Sequence, residues 1–386
     1  MYYNFDYYPD RRNTGCFKYD YSEKKYGVKN LLPFSVADMD FKVAPEITEK
    51  IKEVADKGVY GYSFLTEKYY NSTINILKKF NWNVEKEEII FCPRIIQAMA
   101  VAVNTFSGEG DEIMYLSPGY SPLTECITDN HRIAVGIPLK REKDSYIIDY
   151  EEIENKISSK TKIFLLVNPH NPTGRVWTKE ELRKISDICE KNSLIIISDE
   201  IHASFVYNNM KYNPFATISD YAANNSIIFQ SISKTFNIPG IHLSNAIIKN
   251  YNLRYPFKKK VDSYGVHEGN IFIEPIVCTA EKIYDTWVSE INSYIYENYL
   301  YLKEFFKENF KELEVCKMEG TFLVWINYSN SNYSKEDIYS WFFKRAKIAV
   351  QFGEEFGETG KGYIRFNIAC PKEILKEALN LLKEFK

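Results

Sequence analysis

The sequence predicts an α/β fold in which helices cover both faces of a mostly parallel sheet, with a second, smaller α/β domain. Between residues 88 and 250, short apolar runs alternate with helical patterns, which is typical of such sheets. Three of these runs end in polar motifs, and open parallel sheets bind ligands beyond the carboxyl ends of their strands. The length of 386 residues exceeds the roughly 250 to 300 residues that one hydrophobic core organises, so we expect about two domains.

The first part of the chain has little periodicity. Pro33 and Pro45 interrupt residues 1–45, which favours an extended arm over an independent domain. Helical patterns then cover residues 46–57 and 66–80.

The sheet region contains seven apolar runs of strand length. They are residues 88–92, 111–116, 132–138, 162–167, 194–198, 226–230 and 243–248. Helical segments such as 95–106 and 179–191 lie between them. This pattern predicts a large domain built on a seven-stranded sheet.

The C-terminal part begins with a long helical pattern at 273–309. The elements after it are predicted as a strand at 321–327, a helix at 335–347, a strand at 363–367 and a helix at 372–385. We expect these domain boundaries: an arm that joins the small domain (1–45), a large cofactor-binding domain (46–285) and a C-terminal small domain (286–386).

Composition limits the possible partners and locations. The net charge of −3 gives no field that would attract nucleic acid or a membrane surface, and no apolar stretch of about 18 residues suggests a membrane span. Seven cysteines without CxxC spacing favour reduced thiols in a cytoplasmic protein. We expect no metal site, because the histidines lack paired ligand spacing. They are His131, His170, His202, His242 and His267.

Polar residues stand at the ends of three neighbouring apolar runs. Asn171 follows the fourth run, Asp199 ends the fifth, and Lys234 follows the sixth. If these strands are parallel, an amide, a carboxylate and an amine converge at one edge of the sheet. These groups suit the ring oxygen, the ring nitrogen and the aldehyde of pyridoxal 5′-phosphate (PLP), respectively.

Each of these residues also has a simpler interpretation. Lys234 would otherwise be a solvated surface lysine, Asp199 a helix cap, and Asn171 part of a turn. Their combination favours catalysis, with Lys234 as the reacting amine and the base that moves the substrate's α-proton. Asp199 would keep the pyridine nitrogen protonated, since a carboxylate at the end of an apolar strand needs a cationic partner.

The phosphate group of PLP needs backbone donors at a helix N-terminus and hydroxyl groups. The amides of Ile95 and Ile96, between a predicted strand and a predicted helix, are the candidates for the first kind of donor. Ser231 and Ser233 are the candidates for the second.

Arg365 lies inside an apolar run, where an arginine needs an anionic partner. A bidentate clamp on the α-carboxylate of a substrate would meet that need. The alternative is an internal salt bridge.

The order and spacing of these motifs resemble the class I and II aminotransferase superfamily, fold type I of the PLP-dependent transferases. Within it, the chain is similar to the MalY/PatB group of cystathionine β-lyases, also called C–S lyases, over nearly its whole length. The stretches that carry this resemblance are residues 10–14, 32–41, 199–202, 233–238 and 365–371. The segments Val36-Ala37-Asp38-Met39-Asp40-Phe41 and Ser233-Lys234-Thr235-Phe236-Asn237 are the most specific of them.

The resemblance implies further site residues. His202 stands where the superfamily often has a tyrosine and belongs either to the ring-oxygen network or to its support. Tyr120 matches the aromatic residue that stacks on the cofactor ring. Tyr62 matches the tyrosine that reaches the phosphate in the neighbouring subunit, which implies a homodimer. A backbone amide near Ala37 and the side chain of Asn171 are implied to contact the substrate.

The chain differs from the group at several positions. Ser35 replaces the expected tryptophan, Arg94 a glycine, Pro239 an alanine and Ser204 an aspartate. His242 stands where many transaminases of the superfamily have a phosphate-binding arginine, which favours the lyase branch.

The resemblance implies α,β-elimination, in which cystathionine gives homocysteine, or cysteine gives sulfide, together with pyruvate and ammonia. One alternative is an aminotransferase of an aromatic or sulfur amino acid, which uses the same groups. The other is a non-catalytic PLP-binding regulatory protein. That class needs an attached DNA-binding module or a lost lysine, and the sequence shows neither, so we expect an enzyme.

Overall fold

The computed structural model describes residues 1–266 and 268–386. The strands are β1 (Leu32–Pro33), β2 (Ile89–Cys92), β3 (Glu112–Ser117), β4 (Ile133–Pro138), β5 (Lys140–Glu142), β6 (Ser145–Ile147), β7 (Thr161–Val167), β8 (Ile195–Asp199), β9 (Ser226–Gln230), β10 (Ser244–Ile247), β11 (Glu314–Val315), β12 (Leu323–Asn327), β13 (Ile348–Ala349), β14 (Gln351–Phe352) and β15 (Tyr363–Asn367). The α-helices are α1 (Ser22–Tyr26), α2 (Pro45–Ala55), α3 (Glu67–Lys78), α4 (Ile95–Phe106), α5 (Ser121–Asp129), α6 (Tyr150–Lys156), α7 (Lys179–Lys191), α8 (Asp220–Asn224), α9 (Tyr251–Ser263), α10 (Ile273–Asn309), α11 (Lys335–Tyr339) and α12 (Lys372–Glu384). In the described ranges, no helix has the length and apolar content that crossing a bilayer requires.

The central sheet has seven strands in the order β2-β10-β9-β8-β7-β3-β4. Only β10 runs antiparallel to its neighbours β2 and β9, and the other pairs are parallel. All seven predicted apolar runs form strands of this sheet. The predicted α/β class is confirmed.

The sheet is buried on both faces, which explains why its strands are continuous apolar runs. In β7, Phe164 and Leu166 belong to one core cluster, with Leu182 of α7. Ile163 and Leu165, which alternate with them along the strand and point to the other face, belong to another cluster that includes residues of α4, α5 and α9. Helices therefore cover the two faces as predicted.

The start of α7 shows how local sequence sets a boundary. The Thr178 side chain accepts from the Glu181 amide at 3.2 Å, and the Glu181 side chain accepts from the Thr178 amide at 2.8 Å. This reciprocal capping box satisfies backbone donors of the first turn. The helix begins at Lys179, as predicted.

A second, antiparallel sheet has the order β11-β12-β15-β14. Separately, β1 of the arm pairs in parallel with β13, so that Leu32 lies opposite Ile348. The arm is therefore attached to the C-terminal part of the chain. The predicted helix at 335–347 is shorter than expected, because α11 continues as a π-helical turn at Ser340–Arg345.

The arm also contains helical structure that the sequence did not predict, a π-helical turn at Phe17–Tyr21 followed by α1. Lys18 Nζ lies 2.6 Å from Asp40, Arg11 Nη2 lies 2.6 Å from Asp38, and Tyr19 donates to Asp40 at 3.0 Å. We call these five residues the arm cluster. They stabilise the turn through contacts distant in sequence, which local periodicity cannot reveal.

Helix α10 has 37 residues and packs against α2, α3 and α12. Its bounds, Ile273–Asn309, are those predicted from the pattern. The proposed boundary between residues 285 and 286 falls within this helix. The division into domains stays a prediction.

Candidate active site

A cavity of about 420 Å³ lies at the carboxyl ends of the central strands. Most of the predicted site residues line it, namely Ala37, Ile95, Ile96, Tyr120, Asn171, Asp199, His202, Ser231, Ser233 and Lys234. Arg365 lies next to the cavity, against Asn171. Tyr62 is not among the residues that line it.

Lys234 stands in the turn after β9, and Nζ donates a hydrogen bond to the carbonyl oxygen of Ala37. The Asn237 amide fastens this turn to the arm by donating to the carbonyls of Met39 at 3.0 Å and Phe41 at 2.8 Å. Its oxygen accepts from the Met39 amide at 3.0 Å. The two most specific sequence segments thus form one unit around the amine.

The surroundings of Lys234 favour a reactive amine. Desolvation in the cavity lowers the pKa of Lys234 to about 8, with Arg365 lowering it further while Asp38 and Asp199 oppose the shift. At neutral pH a useful fraction of the amine is therefore unprotonated and nucleophilic.

Asp199 is the last residue of β8 and is only 5% exposed. Its Oδ1 accepts from the Ile201 amide at 3.2 Å. Burial raises the pKa of Asp199 to about 6, against the opposing effects of the Ile201 amide and the Lys234 charge. Within residues 1–266 and 268–386, Asp199 forms no ion pair, so a buried carboxylate faces the cavity without a counter-ion.

Arg365 lies in β15 and is 2% exposed. It donates to Asn171 Oδ1 at 2.8 Å, to the Ser35 carbonyl at 3.0 Å and to Gln351 Oε1. Its Nε has no hydrogen-bond partner, and its guanidinium lies 4.8 Å above the Phe356 ring. Among the described residues no carboxylate pairs with it, so the alternative of an internal salt bridge is not found there.

The contact with Arg365 fixes the orientation of Asn171. Arg365 has only donors, so the atom of Asn171 that faces it must be the amide oxygen. The amide nitrogen of Asn171 is then free to donate to a ligand in the cavity.

His202 is 3% exposed, and its Nδ1 is buried without a hydrogen-bond partner. Burial, then the charges of Lys234 and Arg365, lower the pKa of His202 well below its usual range. The imidazole is therefore neutral, and its Nδ1 is a buried polar atom that the described residues leave without a partner.

Helix α4 begins at Ile95 beside the cavity, so that the amides of Ile95 and Ile96 lie in its first turn, where backbone donors lack helical partners. Ser231 Oγ lies 2.6 Å from the Leu243 carbonyl, which can only accept. This contact takes the single hydroxyl proton of Ser231. Ser231 Oγ lies 2.8 Å from Ser233 Oγ as well, so the two hydroxyls form one hydrogen-bonded pair beside the cavity.

The two predicted tyrosines differ in placement. Tyr120, immediately before α5, lines the cavity. Tyr62 is 101% exposed, in a segment where Val59, Tyr60 and Phe64 are also exposed. Its place in the site of a second subunit stays a prediction.

Several cavity residues were not assigned from the sequence. Phe17, Asp38, Arg94, Pro239 and His242 all line the cavity. Asp38 lies in the stretch 32–41 that carries the resemblance, and Arg94 and His242 stand at positions where the chain differs from its relatives. Phe17 reaches the cavity because the arm cluster holds its turn, and this could not be read from the sequence.

Ser204 and Ser35, two of the residues that differ from the group, are buried in different environments. The Ser204 hydroxyl hydrogen-bonds those of Thr235 at 2.8 Å and Tyr284 at 2.6 Å, which links the lysine turn to α10. The buried Ser35 hydroxyl has no hydrogen-bond partner.

The donor set fits PLP. An amine with a lowered pKa, a buried carboxylate without a counter-ion, an amide nitrogen and a neutral imidazole converge near a helix N-terminus. Among the described residues no group of three His, Cys, Asp or Glu side chains could hold a metal ion. His267, one of the five histidines considered for a metal site, lies outside the described residues.

Comparison with known proteins agrees with this fit. Cystathionine beta-lyase PatB of Bacillus subtilis (strain 168) is 31% identical over 382 residues, covering 98% of this chain and 99% of PatB. A PLP-bound putative aminotransferase from Clostridium difficile 630 superposes with a TM-score of 0.96 at 37% identity, over 99% of each chain. Cystalysin from Treponema denticola, which contains PLP, superposes with a TM-score of 0.96 at 32% identity, over 100% of this chain and 98% of its own.

The aminotransferase class I and II family matches residues 29–382. This match spans most of the chain, and PatB is aligned with 98% of it. The chain therefore belongs to the PLP-dependent class I and II aminotransferase family, in the branch that includes PatB.

Proposed function

We propose that the protein is a carbon–sulfur β-lyase that converts cystathionine- or cysteine-type amino acids into a thiol or sulfide, pyruvate and ammonia. The observation that carries the proposal is the contact between the Lys234 amine and the Ala37 carbonyl. It joins the two segments that most resemble the lyase group. The named activity of PatB, which matches 98% of this chain, supports the same reading.

When bound, PLP supplies an aldehyde that reacts with amines and a ring that accepts electrons from the substrate's α-carbon. Lys234 is proposed to bind the aldehyde and then, once the substrate's amine displaces it, to remove the α-proton. Its pKa of about 8 suits both tasks, since it can take up a proton and release it near neutral pH. The sulfur then departs from the β-carbon with the bonding electrons, and water completes the release of pyruvate and ammonia.

Asp199 is proposed to face the pyridine nitrogen. A protonated nitrogen would provide the counter-ion that this buried carboxylate lacks, and the carboxylate would in turn keep the proton in place. Asn171 and His202 are proposed to hold the ring oxygen, with Tyr120 stacked on the ring.

Arg365 is proposed to bind the substrate's α-carboxylate, together with a backbone amide near Ala37 and the side chain of Asn171. Its Nε has no partner, and its other nitrogen atoms donate to uncharged oxygen atoms. An incoming carboxylate would supply the missing negative charge. The amides of Ile95 and Ile96 and the hydroxyls of Ser231 and Ser233 are proposed to receive the phosphate.

We further propose a cytoplasmic homodimer in which Tyr62 contributes to the partner's site. The exposure of Tyr62 and its apolar neighbours supports the dimer. The presence of seven free thiols supports a reducing location.

An aminotransferase is the second candidate, because the Clostridium difficile chain, at 37% identity, is described as a putative aminotransferase. The two activities use the same residues up to removal of the α-proton. They would differ in the fate of the substrate, which either loses a leaving group from its β-carbon or passes its amino group to a keto acid.

The decisive experiment supplies the purified holoenzyme with cystathionine or cysteine and no keto acid, and measures pyruvate with a coupled dehydrogenase. The lyase predicts continuous pyruvate release, and Lys234→Ala is the matched inactive control. In a second assay, 2-oxoglutarate is added. Amino transfer to it, with no pyruvate released in either assay, would instead establish the aminotransferase.

A further inference from the structure

Arg94 is an arginine at the edge of the cavity without an anionic partner. It immediately precedes α4, lines the cavity and has an exposed side chain. Its Nη2 contacts His242 Nε2. In the part of the chain that the structure describes, no carboxylate forms an ion pair with it.

His242 is suited to hold this guanidinium. Arginine only donates, so His242 Nε2 must be the unprotonated acceptor. Partial burial, then the charge of Arg94, lower the pKa of His242. A neutral imidazole can orient the guanidinium without repelling it.

The other groups near α4 that were predicted to receive the phosphate are uncharged. They are the amides of Ile95 and Ile96 and the hydroxyls of Ser231 and Ser233. A phosphate monoester carries nearly two negative charges at neutral pH, which favours a cation nearby. Two cationic side chains, Lys234 and Arg94, are among the described residues that line the cavity. Lys234 donates its hydrogen bond to the Ala37 carbonyl, which leaves Arg94 as the candidate for the phosphate.

We propose that Arg94, oriented by His242, is the cation that binds the phosphate group of PLP in this chain. The planar guanidinium matches phosphate oxygens, and its position just before α4 adds to the attraction of the helix N-terminus. The MalY/PatB group is expected to have glycine here, so the charge is an addition in this protein. The inference rests on the proposed function in that both place PLP in the same cavity.

The test compares PLP with pyridoxal, which lacks the phosphate. PLP is removed from the purified enzyme, and the dissociation constant of each compound is measured by fluorescence titration. Arg94→Gln should weaken PLP binding by at least about 10-fold while leaving pyridoxal binding nearly unchanged. Arg94→Lys should lie between Arg94→Gln and wild type, because it keeps the charge but loses the planar fork.

Arg183→Gln is the matched control, since Arg183 is an exposed arginine on α7 paired with Asp187. It should leave both dissociation constants unchanged. His242→Ala should weaken PLP binding less than Arg94→Gln, and the double variant should resemble Arg94→Gln alone, because His242 is proposed to act through Arg94.

Three results would overturn the inference. In the first, Arg94→Gln leaves PLP affinity unchanged; in the second, it weakens PLP and pyridoxal equally, as a structural defect would. In the third, the variant has unchanged PLP affinity and a higher KM for cystathionine but not for cysteine. That result would assign Arg94 to the second carboxylate of cystathionine, which cysteine lacks. Pyruvate release by the wild type is judged separately, so the lyase proposal and the role of Arg94 can fail independently.

Discussion

The arm cluster and the cavity both bury charged groups, but they balance charge in opposite ways. In the arm cluster, Lys18 is 1% exposed and is paired with Asp40. Burial alone lowers the pKa of Lys18, but Asp40 and Asp38 offset this effect, so the pKa is raised. At the cavity, the hydrogen bonds of Arg365 go only to uncharged oxygens, and Asp199 has no cation in an ion pair among the described residues.

A buried charge without a counter-ion costs free energy. It is therefore retained where a ligand supplies the opposite charge. The comparison suggests that paired buried charges stabilise this fold, whereas unpaired ones mark where cofactor and substrate bind. Variants in the cavity should lose activity, and variants in the arm cluster should lose stability.

The largest expected effect is that of Lys234→Ala. The variant lacks the amine that is proposed to bind PLP covalently and to remove the α-proton, so elimination should be abolished. Borohydride reduction of the wild type should fix PLP on the peptide that contains Lys234, and the variant should show no such adduct. Retention of a lysine-bound chromophore in Lys234→Ala would assign the reacting amine to another residue.

Asp199→Asn should have the next largest effect on activity. The amide preserves shape but removes the charge that is proposed to keep the ring nitrogen protonated. Turnover at saturating PLP should fall by about 10²-fold, or about 3 kcal/mol of transition-state stabilisation. The melting temperature should change little. Near-native turnover would move the partner of the ring nitrogen elsewhere.

Lys18→Met tests the arm cluster. Removing Lys18 leaves Asp40 with Arg11, 3.3 Å away, as its remaining cation. The free energy of unfolding should therefore fall by roughly 3 kcal/mol, the lower end of the range for a broken buried ion pair. Denaturant unfolding measures this loss. The double variant Lys18→Met/Asp40→Asn should recover part of it. Unchanged stability in Lys18→Met would break the proposed contrast with the cavity.

Arg365→Lys should act on binding rather than on stability. The lysine retains the charge but cannot offer two parallel donors, so KM should rise by about 10-fold for all amino acid substrates, whatever their side chain. Steady-state kinetics with cystathionine and cysteine check this. An effect confined to one substrate would place Arg365 in a side-chain pocket.

The smallest expected effect is the gain in activity when Lys234→Ala and Tyr62→Phe subunits are mixed. Lys234→Ala retains Tyr62, and Tyr62→Phe retains Lys234, so a heterodimer would contain one complete site. If Tyr62→Phe alone is clearly impaired, activity after subunit exchange should exceed the sum of the parents. Additive activity, with exchange demonstrated by native mass spectrometry, would place Tyr62 outside the partner's site.

Much of the fold was predictable because its signals are local. The central strands are apolar runs bounded by polar turns, and α10 has a long, regular period. Helix α9 was missed because Pro256 and many charged residues interrupt its pattern. The β5–β6 hairpin was missed because it is short and charged.

The candidate site shows the same division. The convergence of Asn171, Asp199 and Lys234 was predictable because parallel strands end at the same edge of a sheet. The contact of Arg94 with His242 joins residues separated by 148 positions. No periodicity encodes such a contact, and neither residue alone indicated it.

The hydrogen bond between Arg365 and Asn171 connects the proposed binding sites of the substrate and the cofactor. Arg365 holds the oxygen of Asn171, which turns the amide nitrogen of Asn171 away from it. A substrate carboxylate that binds Arg365 would therefore also affect the position of Asn171, which is proposed to face the ring. An amine without a carboxylate would leave the positive charge of Arg365 without a counter-ion and would not act on Asn171. We expect the enzyme to select amino acids over their decarboxylated amines, and competition between cysteine and cysteamine would reveal that selectivity.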